Sequence, residues 1–131
     1  MAKMGAVVKK GRNKKQILAN STLFQSFGAQ IAATGVSAVD GRKIIPAGTP
    51  VGGENDFYED EQAELVVTNT AEDAAETQGV LLHDVDVTEG TNNGTVLVFG
   101  FVNENRLDES LTVVDEAKTA LDGKVTFVKR N

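Results

Sequence analysis

Hydrophobic positions in this chain recur mostly at a spacing of two, the period of a half-buried strand. The clearest run is Gly79–Thr88, GVLLHDVDVT. As a strand it sends Val80, Leu82, Asp84 and Asp86 to one side, and Leu81, His83, Val85 and Val87 to the other. Thr95–Val102, TVLVFGFV, is a second run. EGTNNG between them reads as a turn, with Asn93-Gly94 suited to positive φ. Together these predict a hairpin over residues 79–102. Shorter strands are expected at Val36–Val39, around Ile44-Ile45, at Leu65–Asn69 and at Lys124–Lys129. Asp40-Gly41 is a tight-turn signal. Pro46 and Pro50 cannot donate to a ladder, so the Ile44-Ile45 strand belongs at an edge, bent by Ala47-Gly48. The acid-rich stretches 54–64 and 71–78 read as exposed loops.

The helical period appears once with its end signals. Thr112-Val113-Val114-Asp115 has the spacing of a capping box. Val113, Ala117 and Leu121 follow at one-turn intervals, and Gly123 stands where a terminal glycine belongs. A short helix over about 113–121 is expected. Leu23, Phe24, Phe27 and Ile31 form a weaker stripe broken by Gly28, open to either a helix or an extended segment laid on a partner. The fold expected from these patterns is mainly β, with short strands and one short C-terminal helix.

Composition narrows the class. At 131 residues the chain is one domain in size. It has no Cys and one His, which excludes disulfide scaffolds, thiolate metal sites and Cys nucleophiles. No apolar run approaches the roughly 18 residues of a membrane span, so no membrane partner is expected.

Charge divides the chain unevenly. Residues 1–43 hold eight Lys or Arg against one acid, giving +7; residues 44–131 hold five against eighteen, giving −13. Lys3, Lys9, Lys10, Arg12, Lys14 and Lys15 crowd the first fifteen positions. No apolar core follows them as in a secretory signal, and the segment is Lys-rich where a transit peptide is Arg-rich. The expected organisation is a basic N-terminal arm over 1–20, a connecting segment over 21–35 and a β-rich body over 36–131. An arm without its own core orders on a partner, and GAVV at 5–8, centred on Val7 and Val8, can add as a strand to a sheet edge.

Catalytic patterns are missing. His83, Asp84, Asp86 and Glu89 superficially resemble a calcium loop, but position six is Glu89, not Gly, and position twelve is Thr95, not Glu. His83 reads instead as a histidine partly packed in a sheet. Asp56, Glu59, Asp60 and Glu61 have no apolar surroundings to raise a carboxyl pKa for general-acid work. Gly48, Gly52 and Gly53 do not form a phosphate loop, and Ser21 and Thr22 have no base nearby in sequence. No catalytic residue, cofactor site or metal site is expected, and no enzymatic activity. Nucleic acid is a disfavoured partner, because the arm has no interleaved aromatic residues and the body is acidic.

The order PAGTPVGG, GVLLHDVDVT, VFGFVNENRLD, short helix, GKVTFVKRN resembles that of tailed-phage head decoration proteins, including head-fibre bases and the lambda-type β-tulip fold. The resemblance covers about residues 36–131. It implies a trimer on the outer surface of the virion capsid, with the arm lying along the major capsid protein. It also implies a compact, β-tulip-like small barrel. The candidate capsid-binding residues of the arm are Lys3, Val7, Val8, Lys9, Lys10, Arg12, Lys14 and Lys15. A head-fibre base or host-surface adhesin is the neighbouring alternative, less expected because no distal binding domain follows the body. A nucleic-acid-binding accessory protein is the third.

Overall fold

A computed structural model describes residues 16–54, 57–60 and 62–130. Eight strands and one helix follow in order: β1 (Gln25–Ile31), β2 (Ile44–Ile45), β3 (Pro50–Gly52), β4 (Glu64–Val67), β5 (Thr77–Leu81), β6 (Val85–Asp86), β7 (Asn92–Asn103), α1 (Asp115–Ala120) and β8 (Val125–Val128). Strand takes 38% and helix 11%, so the mainly β expectation holds.

Five strands close a barrel in the order β1-β4-β3-β5-β7, with β7 returning to β1. β1 runs parallel to β4 and antiparallel to β7; the other pairs in the ring are antiparallel. Closure satisfies backbone groups that an open sheet would leave at its edges. The interior is filled by Ile31, Val51, Leu65, Leu81 and Val96, all without solvent exposure, with Ile45, Val85 and Val98 beside them.

A second apolar layer lies outside the barrel wall. Val80 and Leu97, neighbours of Leu81 and Val96, point away from the interior and pack with Ile17, Leu18, Val102, Leu121 and Val125. Both faces of β5 and of central β7 are therefore buried. This explains the unbroken apolar stretches Val80–Leu82 and Val96–Phe99, where a strand with one wet face would alternate with polar residues. α1 packs through Ala117 into a third, smaller cluster with Ala74 and Val113, joined to this layer by Leu107 and Phe127.

The sequence run 79–88 is not one strand. The chain turns at Leu82–Asp84, where Ala47 N–H donates to Asp84 Oδ1 at 2.8 Å, and resumes as β6 against β2. The expected hairpin survives as an antiparallel pair, Val80↔Leu97 and Leu81↔Val96, with β6 inserted in its connection. Its turn also moves. Gly90 takes φ +119, whereas Asn92, Asn93 and Gly94 are already in β7, paired with Ile31, Gln30 and Ala29. The long-range ladder to β1 overrides the local turn preference of Asn-Gly.

Asp40-Gly41 forms its turn with both residues at positive φ, closing a Val39–Arg42 bridge; Val36–Ala38 do not extend it into a strand. The helix starts at Asp115, not at 113, and its N-cap is Val114 without a side-chain cap. Asn69, from the end of the β4 segment, supplies the missing partner: its Oδ1 accepts from Val114 N–H at 2.9 Å and its Nδ2 donates to Thr112 O at 2.8 Å. A tertiary contact does what the Thr112 hydroxyl was expected to do.

The largest departure concerns the start of the body. Gln25–Ile31 lies inside the stretch read as a connector, yet it is the strand that closes the barrel. Ile17 and Leu18, assigned to the arm, are each 4% exposed. The folded body thus reaches back to about residue 17, because only these residues complete the ladder and the outer core.

Candidate functional site

The basic arm residues Lys3, Val7, Val8, Lys9, Lys10, Arg12, Lys14 and Lys15 lie outside the described residues. What the structure defines is their root. Gln16–Ala19 runs antiparallel along the end of β7. Asn103 N–H donates to Ile17 O at 2.7 Å, Ala19 N–H donates to Phe101 O at 2.8 Å, and Leu18 bridges Val102. Arg106, in the 3-10 turn after β7, donates from Nη1 to Gln16 O and to Leu18 O at 3.2 and 3.1 Å.

The chain's last described residue is tied to the same place. Asn103 has no solvent exposure. Its Oδ1 accepts from Arg130 N–H and from Asn105 N–H, and its Nδ2 donates to Arg130 O, at 3.0, 3.1 and 3.0 Å. One buried residue therefore fixes the approach of both ends, its backbone N–H holding Ile17 and its side-chain amide holding Arg130. A buried amide is tolerated only when its donors and acceptors are matched, and here the matching sets the geometry of the site.

The result is a basic end on an acidic molecule. A cleft of about 440 Å³ opens there, lined by Ala19, Asn20, Phe101, Arg106, Val128 and Arg130. Lys129 and Arg130 are exposed beside it, and the arm leaves from Gln16. Glu104 pairs with Lys118 at 3.1 Å, and that ammonium also lies 5.6 Å from the Phe127 ring centroid; Asp84 and Asp108 line a neighbouring cleft that Arg106 also borders. Guanidinium groups and an adjoining Lys-rich segment suit carboxylate-bearing surfaces.

The other candidates are dispersed. His83 is exposed in the turn before β6, not packed in a sheet, and lines a cleft of about 250 Å³ with Asp84, Arg106 and Asp108. Asp86 lies elsewhere, 2.7 Å from Arg42 Nη2. The Thr88 hydroxyl and backbone N–H donate to Asp86 Oδ1; these bonds and the Arg42 guanidinium hold its carboxyl down at about 2. Among the described residues no three of His, Asp and Glu are grouped to hold a metal ion. Of the acid cluster, Asp56 and Glu61 fall outside the described residues, while Glu59 and Asp60 are exposed. Among the described residues no helix is long and apolar enough to cross a membrane.

Sequence reasoning missed Asn69, Asn103 and Arg106. No local pattern marks an Asn or Arg whose partners lie tens of residues away. It also missed the surface aromatic group in which Phe27 packs edge-on against Phe57 and Tyr58, with centroids 6.5 and 6.1 Å away. No family model matches this chain, and no curated protein matches it.

Proposed function

We propose that this chain is a structural protein of a tailed-phage head. It binds the outer surface of the capsid as a homotrimer, holds the major capsid protein through its basic arm and stabilises the shell without enzymatic chemistry. The order of sequence motifs suggested the reading, and the observation that carries it is the polarity of the molecule. The arm root, Arg106, Lys129 and Arg130 gather at one end, while the body from residue 44 onward carries −13. Such a molecule orients basic end first on an acidic surface and keeps an acidic, soluble face outward.

The test is capsid binding by the chain lacking residues 1–15. Retained folding with lost binding to expanded capsids is expected. Saturation of capsids with unchanged affinity overturns the reading.

The basic end also suits phosphate, which keeps a nucleic-acid-binding role as the second reading. That role requires DNA affinity to fall with salt at a slope near −0.9 per phosphate contact. A failure to retard DNA at low salt removes it.

A further inference from the structure

The two longest stretches of this chain without Lys, Arg, Asp or Glu are Gln16–Val39 and Thr91–Asn103. In a chain with 24% charged residues, that is a marked segregation. The fold sets the two stretches side by side, because they contain β1 and β7. Their shared surface exposes Leu23, Phe24, Phe27 and Phe99 at 51, 38, 45 and 43%. Gln25 of β1 stands opposite Phe99, and Phe24 lies over Gly100, where an added Cβ would come within 3.1 Å of its own. Tyr58, 48% exposed, extends the patch from Phe27. A surface rich in aromatics and depleted in charge has the composition of an interface core.

The backbone supplies an independent observation. β7 pairs along the whole of β1, but β4 pairs with it only at Gln30 and Ile31. Among the described residues, Gln25–Ala29 thus has a ladder on one side alone. The segment has no Lys and no Pro, the residues that usually blunt a strand edge. Beside it lies a groove of about 460 Å³, walled by Phe27, Phe57, Tyr58 and Gly94.

We propose that the β1–β7 face is where copies of this chain dock on one another. Charge selects a second copy as the occupant. Folded bodies over residues 16–130, with seven Lys or Arg against nineteen acids, carry −12 and repel wherever their acidic surfaces meet, and this uncharged face lets them approach without that cost. A strongly basic or acidic partner gains little from a face without charges. Aromatic side chains from each copy supply the apolar contact, and the free edge of Gln25–Ala29 lets the ladder continue into a neighbour. The proposal deepens the self-association within the capsid reading, but it concerns the protein alone in solution, so the two fail separately.

Sedimentation equilibrium of the full chain over rising concentration tests it. The expected mass is a multiple of 13.9 kDa. Phe24→Ser and Phe27→Asp should each weaken association by about tenfold or more, as for central aromatic anchors, with the far-UV circular dichroism of the parent. Ser26→Asp, at a smaller side chain on the same edge, provides a second variant if Phe27→Asp misfolds. Val39→Asp, exposed in a turn that pairs with neither strand, should leave the mass unchanged. High salt should preserve the assembly, since no ion pairs hold it. A monomer at every soluble concentration overturns the proposal. So does an assembly that survives the Phe24, Ser26 and Phe27 variants, or one dissolved by salt, which would instead join basic arm to acidic body.

Discussion

Asn103 shows how much one side chain can organise. Its amide meets Arg130 and Asn105 while its backbone N–H holds Ile17. Replacing it by Ala strands the Arg130 groups in a partly buried place. Asn103→Ala should cost about 2–3 kcal/mol, the upper range for losing hydrogen bonds to buried groups; thermal or urea unfolding followed by circular dichroism measures it. Asp86 is tuned chiefly by hydrogen bonds at the surface. Its carboxyl is lowered from 3.8 to about 2, first by the Thr88 hydroxyl and then by Arg42. A depressed carboxyl contributes stability that is complete above pH 3.8 and is lost as pH falls towards 2. An NMR titration should place the Asp86 midpoint near 2. Thr88→Ala and Arg42→Ala should each move it up, since the Thr88 hydroxyl and the Arg42 guanidinium both lower it. The stability difference between the parent and Asp86→Asn should shrink across the same acid range.

At the scale of elements, β7 is the strand on which the others depend. Its first half closes the barrel against β1 and β5, and its second half carries β8 on one side and Gln16–Ala19 on the other. Helix α1 lies between β7 and β8 in sequence, and its start is set from outside by Asn69. Two substitutions separate this tertiary cap from the local one that sequence suggests. Asn69→Ala should destabilise by about 1–2 kcal/mol, as cap losses do. Thr112→Ala, at an exposed residue whose side chain does not cap the helix, should stay within about 0.5 kcal/mol. Equal effects in unfolding measurements would restore the capping box. The box spacing was legible in sequence. That the cap comes from Asn69, more than forty residues away, was not, because only the packed fold brings them together.

Across the whole molecule, the division of charge along the chain becomes a division in space. The Lys-rich arm leaves from the end that holds Arg106 and Arg130. The arm and the body are not separated at residue 36 or even at residue 20. Leu18 is part of the outer core, so Leu18→Ala should lower stability by about 2–4 kcal/mol, the range for truncating a buried Leu. Residues 1–15 are the portion whose removal should abolish capsid binding and leave the unfolding midpoint in place. A parallel loss of stability and binding would assign them to the fold instead.

Local physics settled much of this protein from sequence alone. Period-two patterning, β-branched runs and turn residues act over a few positions, so they marked β2, β4, β8, the Asp40-Gly41 turn and the short helix, but not β3, whose Pro50 counted against a strand. The same local reading defined a mainly β class and a chain whose bases cluster at its start. Only tertiary structure decided which strands bury both faces, where the long hairpin breaks for β6, and that Gln25–Ile31 closes the barrel. Those outcomes depend on ladder closure and packing between residues far apart in sequence. A strand such as β1, with exposed aromatics at one end and Ile31 wholly buried at the other, has no single period to announce it.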